Sequence, residues 1–79
     1  MKNILICGAT GFIGRNLLDH FYKQNKYKIR ATHFNRPPVK GYEGVEWVKV
    51  DLRDHVQVKE TLKDIDVVLQ FAATTSGAN

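Results

Sequence analysis

The feature that most constrains this chain is a glycine-rich stretch, Gly8-Ala9-Thr10-Gly11-Phe12-Ile13-Gly14, together with what flanks it. Before it lies a continuous apolar run, Ile4-Leu5-Ile6-Cys7. A run without alternation suits a strand buried on both faces of a parallel sheet. After it, Ile13, Leu17 and Phe21 recur every four residues, with Gly14 and Leu18 beside them. That spacing predicts a helix from about Phe12 to Gln24. A strand that ends in glycines and passes directly into a helix opens a βαβ unit.

The rest of the chain continues that pattern. Tyr27 to Phe34 reads as a strand, with Ile29, Ala31 and His33 sharing one side. Asn35 to Gly44 holds Pro37, Pro38, Gly41 and Gly44 and predicts a loop. Val45 to Val50 is rich in β-branched and aromatic residues and reads as a strand. Asp54 with Gln57 forms an aspartate version of the capping box, so a short helix should run from about His55 to Lys63, with Val58 and Leu62 on one face. Asp64-Ile65-Asp66 turns the chain into a last apolar strand, Val67 to Phe71, and Ala72 to Asn79 forms a tail of small and polar residues.

The order β-α-β-loop-β-α-β implies parallel strands and right-handed crossovers, and therefore an α/β fold with sheet order 3-2-1-4. The expected core is Ile4, Ile6, Ile13, Leu17, Phe21, Ile29, Val48, Val58, Leu62, Val67 and Leu69. With 79 residues the chain is one domain or part of one. A chain of this size buries only roughly 60% of its unfolded surface. A doubly wound sheet normally continues past its fourth strand. Residues 1–79 therefore read as the N-terminal part of a Rossmann-type dinucleotide-binding domain, with the remainder and the substrate region absent.

The glycine spacing G-x-x-G-x-x-G carries the chemistry. Gly8 permits a tight turn off the strand, Gly11 lets a pyrophosphate approach the backbone, and Gly14 lets the helix pack closely on the sheet. The free N–H groups of the first helical turn, with the helix dipole, would hold the anion. A phosphate loop of the NTPase type is disfavoured, because Arg15-Asn16 follows Gly14 where that motif needs Lys-Ser/Thr.

At these residues the chain resembles the extended short-chain dehydrogenase/reductases, the group that includes NAD-dependent nucleotide-sugar epimerases, dehydratases and reductases. GATGFIG over Gly8 to Gly14 is similar to the family's cofactor loop. Asp51-Leu52-Arg53-Asp54 resembles the acidic turn after strand 3, whose Asp and following residue contact the adenine. VVLQFAA over Val67 to Ala73 resembles the strand-4 segment whose end lies along the ribose and nicotinamide. The resemblance implies cofactor contacts from Gly8, Thr10, Gly11, Phe12, Ile13, Gly14, Asp51, Leu52, Phe71, Ala72 and Ala73. Gln70 stands where many members have His. The family's catalytic Tyr-x-x-x-Lys and Ser/Thr fall beyond Asn79, so no catalytic residue is expected in this chain. Tyr22 and Lys26 have the spacing but sit at the end of the first helix and read as surface residues.

The end of strand 2 bears on the choice of cofactor. Dinucleotide sites for NAD place a carboxylate about 20 residues beyond the loop. Here Thr32-His33-Phe34-Asn35-Arg36 offers none before Glu43. Arg36 suits a phosphate, and Asn35 and His33 can donate hydrogen bonds, which favours NADP over NAD.

Other classes find little support. The net charge of +4 is modest, and the run Lys23, Lys26, Lys28, Arg30 is interrupted, so no nucleic-acid partner is expected. No apolar run reaches the roughly 18 residues needed to span a bilayer. His20, His33 and His55 lack metal-ligand spacing. Cys7, the one cysteine, reads as an inert core residue and fits a cytoplasmic compartment. Trp47 reads as an aromatic covering an edge strand. The expected full-length protein is an NAD(P)-dependent enzyme acting on a nucleotide sugar, and a homodimer. A non-catalytic NADP sensor and a reductase of a non-sugar carbonyl remain the alternatives.

Overall fold

The computed structural model describes residues 1–70. Phe71, Ala72, Ala73 and the tail after them lie outside the described residues. Six elements follow in order: β1 (Lys2–Cys7), α1 (Phe12–Gln24), β2 (Tyr27–His33), β3 (Glu46–Lys49), α2 (His55–Thr61) and β4 (Val67–Gln70). The sheet order is β3-β2-β1-β4 and all three pairings are parallel. This is the expected Rossmann-like arrangement. Ile4 pairs with Ile29 on one side and Val67 on the other, which makes β1 the central strand.

The apolar run of β1 is buried on both faces, as its lack of alternation predicts. Ile4 and Ile6 join Ala9, Leu18, Ile29 and Ala31 in a core beneath α1. Leu5 and Cys7 point to the opposite face, where they line a space of about 230 Å³ with Val58, Leu62 and Val68. Trp47 is half-buried against the main core, as a covering aromatic should be.

Three expected core residues lie elsewhere. Ile13 is 50% exposed, Leu62 40% and Val67 39%. The face of α1 that meets the sheet runs through Gly14 and Leu18, with Phe21 and Tyr22 behind them. It is rotated by one residue from the Ile13-Leu17-Phe21 stripe. Close approach at Gly14 sets that rotation. Leu62 is the C-cap just past the end of α2, and Val67 opens the edge strand β4, so neither is covered from both sides.

Polar contacts fix the ends of the elements. Asp54 caps α2, accepting from the Val56 and Gln57 N–H groups at 3.0 and 3.2 Å. Gln57 does not reach back to the cap's own N–H as in a standard capping box. Its Oε1 accepts from the Asp51 N–H at 3.0 Å instead. α2 stops at Thr61, two residues before the expected Lys63. There Arg30 from β2 donates Nη1 to the carbonyls of Thr61 (2.6 Å) and Lys63 (2.9 Å), and its Nε to Glu46 (2.9 Å). A cation on the last carbonyls complements the helix dipole. The long β2–β3 loop is pinned to α1 at its far end, where Tyr42 donates to Asp19 and Tyr22 donates to the Glu43 carbonyl, both at 2.9 Å.

Candidate dinucleotide site

A cavity of about 570 Å³ opens beyond the carboxyl ends of β1, β2 and β3. That is where ligands bind in open α/β sheets, at the point where strand order reverses around β1. Its walls are the glycine loop, the segment Thr32–Arg36, and Val50 with Leu52.

The three glycines have separable roles. Gly8 lies at φ 73°, a left-handed conformation that a side chain disfavours, so it makes the turn off β1. A Cβ on Gly14 would collide with the Gly8 carbonyl and lie 2.9 Å from the Ala9 Cα, so Gly14 is the close-packing glycine. Gly11 is different. At φ −79° and ψ 170° any residue could stand there, and an added Cβ would meet only the Gly8 carbonyl at an ordinary 3.5 Å. Nothing among the described residues demands glycine at Gly11. It caps α1 without a side-chain hydrogen bond, and Phe12, Ile13 and Gly14 have no helical acceptor for their N–H groups. The three residues line the cavity, so the residues present fit a pyrophosphate.

β2 supports this loop through a residue that the sequence did not mark. Thr32 is buried, its hydroxyl accepts from the Gly8 N–H at 2.9 Å, and its carbonyl accepts from the Ala9 N–H at 3.2 Å. Thr32, Phe34 and Val50 also line the cavity. In sequence they read as ordinary strand and strand-end residues, and no local signal separates them from their neighbours.

Of the expected contact residues, Gly8, Thr10, Gly11, Phe12, Ile13, Gly14, Asn35, Arg36 and Leu52 come together around the cavity. Ile13 is exposed because it faces this space rather than the core. Arg36 sits on the rim and reaches toward the Thr10 carbonyl at 3.5 Å. Asp51 is not among the lining residues. Its carboxylate is held by Arg53, through Nε and Nη2 and through the Arg53 N–H, at 3.0–3.1 Å. The Arg53 guanidinium, and after it the Arg53 backbone N–H, hold the Asp51 carboxyl below the usual carboxylate range. Phe71, Ala72 and Ala73 lie outside the described residues.

Besides Arg36, the titratable side chain among the lining residues is His33. Tyr22 is half-buried rather than a surface residue. It meets Tyr42 edge-on at 5.0 Å near the far end of α1, and Lys26 is exposed. Burial pushes the Cys7 thiol up, against a smaller lowering by the Thr32 hydroxyl. Among the described residues no three His, Cys, Asp or Glu side chains could hold a metal ion together, and no helix is long and apolar enough to cross a membrane.

Comparison with known proteins bears on the same residues. The NAD dependent epimerase/dehydratase family matches residues 4–79. The bifunctional polymyxin resistance protein ArnA of Wigglesworthia glossinidia brevipalpis is 34% identical over 77 residues, covering 92% of this chain. The chain spans only 12% of that relative's length. Among solved structures, the PbgP3 protein of Burkholderia pseudomallei aligns with 87% of this chain at a TM-score of 0.73 and 22% identity. The oxidoreductase ylbE of Lactococcus lactis aligns with 98% at a TM-score of 0.74 and 24% identity. The chain covers 22% and 35% of those two chains. At such identities the likeness establishes the fold alone.

Proposed function

Because this chain belongs to the NAD dependent epimerase/dehydratase family, we propose that it forms the cofactor-binding part of an oxidoreductase-type enzyme acting on a nucleotide sugar, with NADP as its cofactor. The observation that carries this reading is one cavity running from the N-terminus of α1 to Arg36. At the loop end, the Phe12, Ile13 and Gly14 N–H groups and the helix dipole would take the pyrophosphate. At the β2 end, Arg36 and Asn35 would take the ribose 2′-phosphate. No carboxylate lines the cavity among the described residues, so the usual acceptor for an NAD ribose hydroxyl is missing there.

When bound, the nicotinamide would donate or accept hydride. This chain's own residues bind and orient it. The 79 residues would then be one part of a larger domain, with the catalytic Tyr-x-x-x-Lys supplied elsewhere in it. The sugar substrate rests on the resemblance of the glycine loop, the acidic turn and the strand-4 segment to nucleotide-sugar enzymes. Leu52 would flank the adenine. Asp51 would accept from its amino group while still bound to Arg53, since a carboxylate offers about four acceptor sites.

The test is a pair of dissociation constants, for NADPH and NADH, measured on variants of the intact protein at fixed salt. Arg36→Ala should weaken NADPH by roughly ten- to a hundredfold, for a charge-assisted hydrogen bond of about 1.5–3 kcal/mol, with the lower end expected at a rim site. NADH should be nearly untouched. Asn35→Asp should shift preference toward NADH, and Asp51→Ala should weaken both cofactors alike. Equal losses of NADPH and NADH in Arg36→Ala would overturn the NADP assignment.

A further inference from the structure

We infer that His33 is a positioning residue that sets cofactor selectivity by holding the turn that carries Arg36. The inference rests on the dinucleotide reading above and adds a residue to it.

β2 ends at His33, and the chain turns through Phe34 and Asn35 to Arg36, then meets Pro37 and Pro38. A turn of this kind is normally closed by a backbone N–H three residues on. No such closure forms here among the described residues. Pro37 and Pro38 have no N–H to offer the carbonyls of Phe34 and Asn35. The His33 carbonyl is engaged from the other side by the Val50 N–H at 2.9 Å, which continues the pairing with β3.

The bond that closes the turn comes from a side chain. His33 Nδ1 lies 2.9 Å from the Arg36 carbonyl oxygen. A carbonyl only accepts, so the geometry assigns the proton to Nδ1. The ring is steadied by Trp47, edge-on at 6.2 Å. Pro37 further restricts the Arg36 backbone to an extended conformation. Ring, turn and proline together fix where the guanidinium leaves the chain, on the rim opposite Thr10.

Thr32 and His33 thus divide the work at the end of β2. Thr32 holds the Gly8 turn, which every dinucleotide would use. The His33 ring holds the Arg36 turn, which a 2′-phosphate would use and a 2′-hydroxyl would not. His33→Phe keeps an aromatic ring beside Trp47 and removes the donor. It should weaken NADPH about three- to tenfold, as expected for one lost neutral hydrogen bond, and leave NADH within about twofold. His33→Asn returns an N–H near the Nδ1 position and should restore most of the NADPH affinity. In the Arg36→Ala background, His33→Phe should have no further effect on NADPH, because a positioning residue acts only through the group it positions. Nitrogen-15 spectra of the intact protein should show His33 as the Nδ1–H tautomer.

The outcomes separate the two claims. A wild-type protein that binds neither dinucleotide, or an Arg36→Ala variant that weakens both alike, overturns the NADP reading and the role of His33 with it. A selective Arg36→Ala effect overturns the role of His33 alone if His33→Phe weakens both cofactors equally, adds fully to Arg36→Ala, or changes nothing. An Nε2–H tautomer does the same.

Discussion

The two sides of β1 are built on different principles. Toward β2, Ile4 and Ile6 meet Leu18 of α1, and Ile29, Ala31 and the half-buried Tyr42 close the core around them. Toward β4, Val68 stays 44% exposed, and α2 offers no fully buried apolar side chain. The difference follows from helix length. α1 has 13 residues and can lay an apolar stripe across two strands. α2 has 7 residues, too few for such a stripe, and is held at its ends by Asp54 and Arg30 rather than along its face. The candidate site lies on the first side, where packing fixes the backbone that must meet a ligand.

The largest expected contrast is between matched deletions on the two sides. Leu18 is fully buried, so Leu18→Ala should cost about 2–5 kcal/mol in urea unfolding of the intact protein. Val68→Ala removes methyl groups from an exposed position and should stay near 0.5 kcal/mol. Comparable losses would show that β4 is as tightly packed as the α1 side, and the contrast would fail.

A smaller effect sharpens the picture within the loop itself. Gly14→Ala forces a Cβ into the Gly8 and Ala9 backbone, and overpacking of that kind costs about 1–3 kcal/mol. A Gly14→Ala protein as stable as wild type would mean that α1 can slide away from the loop.

The smallest shift has the opposite sign. Gly11→Ser supplies the cap that α1 lacks and should stabilise the fold by a few tenths of a kcal/mol, about the known difference between serine and glycine at an N-cap. The same hydroxyl would occupy the helix N–H groups proposed for the pyrophosphate, so dinucleotide affinity should fall while stability rises. A variant that gains stability and keeps its affinity would remove the ligand explanation for Gly11.

Much of this is legible in the sequence. Both ends of α1, the parallel order of the strands and the separate tasks of Gly8 and Gly14 follow from the local pattern, because period and glycine spacing are short-range signals. The misreadings arise where a residue's role depends on what lies across the fold. Hydrophobic periodicity selected Ile13, since glycine carries no hydropathy signal, yet Gly14 makes the contact and turns Ile13 toward the cavity. Leu62 and Val67 sit in apolar patterns at the ends of elements, where pattern does not guarantee a cover. Thr32 gave no sign at all. A threonine in a strand is ordinary, and its importance comes from the Gly8 N–H, 24 residues away in sequence.

The buried thiol of Cys7 has a practical consequence. It is 5% exposed, and burial raises it above its ordinary value, so the reactive thiolate is scarce at neutral pH. Cys7 is also the residue before Gly8, at the root of the glycine loop. Alkylation there must wait until the end of β1 opens, so the rate of labelling by iodoacetamide acts as a stopwatch for that local opening. Any ligand that grips the loop would slow the stopwatch without touching the sulfur, and a mass spectrometer could read the delay at one native atom, with no mutation introduced.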